Sequence, residues 1–190
     1  MGHREDLLAG ARRCLERRGY ARTTARDLVA ESGTNLASIG YHFGSKESLL
    51  NEAMNQSFQE WAERVRTLAL AAEPAGRPMC RLAASWTAML TSFAEYRGLA
   101  VAFVEALAQA EHQPELRAQL AATYRRSRST VTQMIIESLG DLPEPRARAL
   151  ASFQIAMCDG LLVQWLLDPD ATPSGAELVD ALTAVPLAAH

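Results

Sequence analysis

Cysteine is scarce in this 190-residue chain, aromatics make up only 6% of it, and neither sign of charge dominates. The three cysteines, Cys14, Cys80 and Cys158, are far apart, odd in number and without Cys-x-x-Cys or Cys/His ligand spacing. That argues against a disulfide scaffold or a zinc site and suits a reducing cytosol. The first residues, Met-Gly-His-Arg-Glu-Asp, lack the apolar core of a signal peptide. No apolar run approaches the roughly 20 residues of a membrane-spanning helix, so the expected location is the cytoplasm, with no membrane partner. No strand pattern, 20- to 50-residue repeat or low-complexity segment beyond alanine-rich helices stands out. Chemistry is equally sparse: no nucleophile sits with a base, no carboxylates pair, and the histidines stand alone at positions 3, 42, 112 and 190. An enzyme, a cofactor and a metal are therefore not expected. The formal charge of −3 gives no hint of nucleic acid. Residues 1–50 nevertheless hold eight Lys and Arg against six Asp and Glu, a balance of +2, and leave −5 for the remainder.

What the chain does contain is concentrated between residues 23 and 50. Thr24 followed by Asp27 has the form of a capping box, so a helix can begin at Ala25. Leu28 and Val29 give it an apolar side, and Gly33 stands where a sharp turn favours positive φ. Asn35 is a strong N-cap for a second helix from Leu36 to about His42. Ile39 and Phe43, four apart, face the core, leaving Leu36, Ala37, Ser38, Tyr41 and His42 outward. Ser45 caps a third helix with Glu47 in its first turn, where the helix dipole favours an anion. Two short helices joined by a glycine-containing turn form a helix-turn-helix, whose second helix enters the major groove of DNA. Thr24, Arg26 and Lys46 lie at helix starts suited to phosphates, joined by Tyr41 and His42. Asn35 and Ser38 are expected to influence sequence preference. Of the nearby arginines, Arg12, Arg13 and Arg17 read as a solvated helix face.

This segment resembles the DNA-binding region of the TetR family of bacterial transcriptional regulators. The matching residues are Gly19, Tyr20, Thr23, Thr24, Asp27, Leu28, Gly33, Tyr41, His42, Phe43, Ser45, Lys46, Glu47 and Leu50. So many matches within about thirty residues are specific in a way that a three-residue motif is not. Three positions depart from the pattern: Val29 where alanine is common, Thr34 where an aliphatic residue is usual, and Gly40 in place of an aromatic residue.

The rest reads as helices. Leu7, Leu8, Ala11 and Leu15 form one ending at Gly19, completing a three-helix head. A longer helix runs from Ser45 to about Leu70, and Glu73 to Pro78 breaks the pattern. Further helices are expected from Met79 to Tyr96, Leu99 to Glu111, Pro114 to Leu139, 146 to 168 and 175 to 185. Along Pro114–Leu139 the residues Leu116, Leu120, Tyr124, Ser127, Val131 and Ile135 share a face. The helix at 146–168 is apolar on nearly every side and needs cover on every side. A second copy of the chain can supply it through the last two helices, and burial within one subunit is the alternative. TetR-like proteins dimerise this way, which strengthens the former.

The expected fold is all-α: residues 1–50 form a helix-turn-helix head, and residues 51–190 a helical body for effector binding and dimerisation. The resemblance implies a small effector between body helices. Trp86, Met89, Phe93, Phe103, Tyr124 and Trp165 are candidates to line its site, although such residues are more often ordinary core. Glu105, Gln109, Gln154 and Asp159 would either orient a polar ligand or be exposed. The expected function is a homodimeric repressor on a near-palindromic double-stranded operator, released by an unknown small molecule. The alternative is a helical dimeric DNA-binding protein controlled by a protein partner, constitutive, or an activator.

Overall fold

A computed structural model describes residues 2–72, 78–139 and 142–184. The expected break at Glu73–Pro78 and the segment Gly140–Asp141 lie mostly outside the described residues. Nine helices make up the described chain: α1 (His3–Arg18), α2 (Ala25–Ser32), α3 (Leu36–Phe43), α4 (Lys46–Ala72), α5 (Pro78–Ser92), α6 (Arg97–Ala110), α7 (Pro114–Leu139), α8 (Glu144–Leu167) and α9 (Gly175–Ala184). No strand occurs among the described residues. The helix expected to reach Tyr96 ends at Ser92, because a turn over 93–96 intervenes before α6.

Two compact units emerge, and each gathers separate stretches of chain. The first holds residues 1–61 and 96–125, and the second 62–95 and 126–190. The first therefore draws in α6 and the opening of α7 as well as the head. Leu7, Leu15, Leu28, Leu49 and Leu50 are fully buried at its centre. Gly10 allows α1 to lie close against α2, since a Cβ there would fall 2.8 Å from Ser32 Cβ. Tyr20 is buried with its hydroxyl donating to Asn51 Oδ1 at 2.8 Å. Burial, with a smaller contribution from Glu47, pushes that phenol up to about 12 despite the opposing hydrogen bond.

In the second unit α5 packs against α9 and α8. The first turn of α9 comes close to α5, because a Cβ on Gly175 would sit 2.6 Å from Ala83 O and from Thr87 N. Along α7 the expected inward face holds at Leu116 and Leu120 but not at Ser127, which is exposed, while Thr132 is buried. Seven turns of helix that join first one unit and then the other need not keep one inward stripe.

On α8 the inward residues are Ala147, Ala151, Leu161 and Leu162. Leu150, Phe153 and Val163 are exposed, and Leu167 is 82% exposed. By length and composition alone this helix is apolar enough to cross a membrane. The expectation that no apolar run approaches that length is thereby corrected: Gln154, Asp159 and Gln164 interrupt the run without outweighing it.

Candidate nucleic-acid interface

The helix-turn-helix is built by local capping. Thr24 Oγ1 accepts from the Asp27 N–H at 3.2 Å, and Asp27 Oδ2 accepts from the Thr24 N–H at 2.9 Å and from its hydroxyl at 2.6 Å. These bonds, with Arg18 3.0 Å away, hold the Asp27 carboxyl below its ordinary range. Gly33 closes α2 in the left-handed region at φ 67°, and the Thr34 N–H donates to Val29 O at 3.2 Å. Asn35 Oδ1 then accepts from the Ser38 N–H at 3.0 Å and starts α3. Ser45 Oγ accepts from the Ser48 N–H at 3.0 Å at the start of α4.

On α3 the outward surface carries Leu36, 54% exposed, Ala37, Gly40, and Tyr41, 86% exposed. His42 is half-buried and meets the Tyr41 ring edge-on at 4.8 Å between centroids. Ser38 departs from expectation. It is only 8% exposed, its hydroxyl donates to Asn35 Oδ1 at 3.2 Å, and it lies 3.4 Å from His3 Nδ1. The signal was in the sequence: a serine three residues after an Asn cap is drawn toward it. Ile39 is buried as expected, and Phe43 lies beneath the Arg4 guanidinium, 5.3 Å from its ring centroid.

The cations sort themselves by partner. Arg4 pairs with Glu52, Arg12 with Glu60 and Gln56, Arg13 and Arg17 with Glu31, and Arg18 with Asp27. The Arg13 bond, at 2.7 Å, holds the Glu31 carboxyl low. The arginines of α1 thus tie α1 to α2 and α4, rather than forming the purely solvated face expected of Arg12, Arg13 and Arg17. Lys46 Nζ donates to Thr23 O at 3.1 Å and lies 3.3 Å from Glu47. Arg26 is exposed and has no hydrogen-bond or ion-pair partner among the described residues.

One contact was not foreseen. The Glu105 carboxylate on α6 accepts from the Ala21 N–H at 3.0 Å, 84 residues earlier in the chain. A side chain on Gly19 would run into that carboxylate. Glu105 therefore holds the turn before α2 instead of facing a ligand or open solvent.

The six effector-site candidates fall into two groups. Phe103 and Tyr124 belong to the first unit, 6.3 Å apart between centroids, with Phe58 at 5.0 Å from Phe103. Trp86, Met89, Phe93 and Trp165 belong to the second, where the Phe93 and Trp165 rings lie 5.7 Å apart. Trp86 is 1% exposed, and its indole N–H has no acceptor among the described residues. No cluster of three or more His, Cys, Asp or Glu suited to a metal occurs among the described residues.

Residues 7–53 match the family described as bacterial regulatory proteins, tetR family, and residues 78–185 match the BetI-type transcriptional repressor, C-terminal family. The transcriptional repressor AcnR of Corynebacterium efficiens is 37% identical over 62 residues, covering 33% of this chain and 33% of that protein. The match thus spans about a third of the length of that relative. The transcriptional regulator BetI of Stenotrophomonas maltophilia is 29% identical over 164 residues, 86% of this chain and 79% of that protein. Among solved structures, a transcriptional regulator from Saccharomonospora viridis in complex with choline superposes with TM-score 0.66 at 25% identity. That match covers 95% of this chain and 93% of that one.

Proposed function

Because the chain belongs to the TetR family of bacterial regulatory proteins, we propose that it is a cytoplasmic, homodimeric DNA-binding repressor, released from its operator by a small molecule. The observation that carries the reading is α3. It is capped by Asn35, held from behind by Ile39, and offers Leu36, Ala37, Gly40 and Tyr41 outward, while Arg26 in the first turn of α2 is exposed and unpaired. A short helix with a bare outer face, preceded by a helix whose first turn carries an open cation, suits a major groove bordered by phosphates. In this reading residues 1–50 carry DNA recognition, and Thr24, Arg26, Tyr41, His42 and Lys46 engage the backbone. Residues 51–190 carry effector binding and dimerisation.

The dimer reading rests on α8. Its residues 149, 153, 156, 160, 163 and 167 are all exposed and recur at alternating steps of four and three. They read Ala, Phe, Ala, Gly, Val, Leu, an apolar seam with small residues that permit close approach by a second helix. A twofold pair through α8 and α9 would cover that stripe and place two α3 helices in successive major grooves, about 34 Å or a multiple apart. A twin helix accounts for the apolar face of α8 without a membrane.

The effector reading draws on Trp86, Met89, Phe93 and Trp165 in the second unit and on Phe103 and Tyr124 in the first. A ligand bearing a hydrogen-bond acceptor would satisfy the buried indole of Trp86. The choline bound by the Saccharomonospora viridis protein makes small quaternary amines a first class to test. Release requires unequal affinity of the effector for two conformations. Selection of bound fragments from random duplex DNA, with sedimentation of the complex, tests the core of the proposal. A near-palindromic site bound by two chains is the expected result, and a monomer without sequence preference would refute it. A metabolite panel that includes choline, scored by thermal shift, tests the effector; no stabilisation by any member would favour control by a protein partner instead.

A further inference from the structure

The outer face of α3 is poor in hydrogen-bonding groups, and this limits what it can read. Asn35 is the residue that would pair with adenine through both its amide atoms. Its Oδ1, however, already accepts from the Ser38 N–H at 3.0 Å and from the Ser38 hydroxyl at 3.2 Å. Only its Nδ2 is left to reach outward, and one donor cannot make the two-bonded pairing. Ser38 is buried, and the Thr34 hydroxyl lies 2.7 Å from Ser32 Oγ. What remains on the first turns, where a recognition helix meets base edges, is Leu36, Ala37 and Gly40. Counted at 100° per residue, these three and Tyr41 span one sector of about 140°. Gly40 has no packing reason to be glycine, because a Cβ there would meet nothing within 4 Å. Its backbone is bare on the side that faces outward.

Resting on the DNA-binding reading above, we propose that α3 recognises its half-site through the C5-methyl groups of thymines packed against Leu36 and Ala37, with the bare backbone at Gly40 drawn close to the base edges. Among the features that base pairs present in the major groove, the thymine methyl is the apolar one. An apolar helix face gains by covering it. The same face pressed onto guanine O6 and N7 would strip water from two acceptors and return no donor, a loss that disfavours G·C pairs there. Specificity then comes from methyl contact and from the exclusion of unsatisfied acceptors, and Arg26 and Lys46 supply affinity that is blind to sequence.

Base analogues in a selected operator provide the test. Deoxyuridine in place of single thymines removes only the methyl; where a thymine faces Leu36 or Ala37, binding should weaken about fourfold. Replacing purines by their 7-deaza analogues, which lack the N7 acceptor, should change affinity less than about twofold, below the discrimination of one good base pairing. In L36A the deoxyuridine penalty should vanish at the thymine that Leu36 covers. G40A should keep or raise thermal stability yet weaken operator binding by a larger factor than binding to unrelated duplex. An operator indifferent to every deoxyuridine but sensitive to 7-deaza-purines overturns the inference and leaves the regulator reading intact. Equal operator affinity in G40A overturns the close approach at that residue. Failure to select any operator overturns both.

Discussion

Two helices keep apolar side chains on their outer faces, α3 and α8, and their surroundings differ. The head that presents Leu36, Ala37 and Gly40 also carries the exposed, unpaired Arg26 and the exposed ring of Tyr41. On α8 the cations Arg146 and Arg148 lie in the first turns, Arg148 against Glu144 at 2.7 Å, and Phe153, Val163 and Leu167 follow further along, in a stretch without Lys or Arg. Exposure of apolar atoms by itself does not identify a partner. An open cation on the same head suits a polyanion, and an apolar stretch without one suits a surface like itself.

The comparison can be broken most sharply by placing one charge on each face. Val163→Asp should weaken self-association at least a hundredfold, since an unpaired carboxylate would be buried at the seam, and sedimentation should then find monomers. Ala37→Asp should leave the dimer intact and abolish operator binding in a mobility-shift assay. If V163D remains dimeric, α8 is not the interface.

Packing behind the two faces predicts the next effect. Gly10→Ala should destabilise the head by about 1–3 kcal/mol, because the added methyl meets Ser32. Gly160→Ala meets no atom of its own chain, so its cost should appear only in self-association. Thermal unfolding at several protein concentrations separates these outcomes. Thr24→Val removes the capping-box acceptor and should cost about 1 kcal/mol, read by chemical denaturation. Arg26→Ala should lower the slope of log affinity against log salt by about 0.9 and weaken all duplexes alike; an unchanged slope would remove Arg26 from the phosphate contacts.

The smallest effect is with acid. Asp27, held low chiefly by Thr24, and Glu31, held low chiefly by Arg13, have depressed pKa values in the folded state. Their contribution to stability is therefore present above the ordinary carboxylate values of 3.8 and 4.5 and is lost as pH falls through the depressed ones. The head should loosen below about pH 4, visible as lower amide-exchange protection factors in α2. Protection that stays constant to lower pH would mean that these carboxylates do not hold it.

The head was legible in the sequence because its determinants are local. Thr24 with Asp27, Gly33, and Asn35 act within three or four residues, and spacing alone places them. Helix limits in the body were legible to within a few residues for the same reason. Partnership across long separations was not. Nothing near Glu105 announces that its carboxylate meets the Ala21 N–H, and no count of arginines tells which ones Glu31 and Glu60 will engage. Ser38 lay between: its position after the cap was readable, but its burial depends on α1 and His3.

The Glu105 contact also bears on modular engineering. Swapping the first fifty residues onto another regulator's trunk assumes a self-sufficient cassette, yet here the bend leading into the reader leans on a carboxylate donated by α6. A chimaera that keeps an acidic residue at the corresponding site in its new trunk should bind the original operator. One that lacks it should carry the same letters and read them poorly.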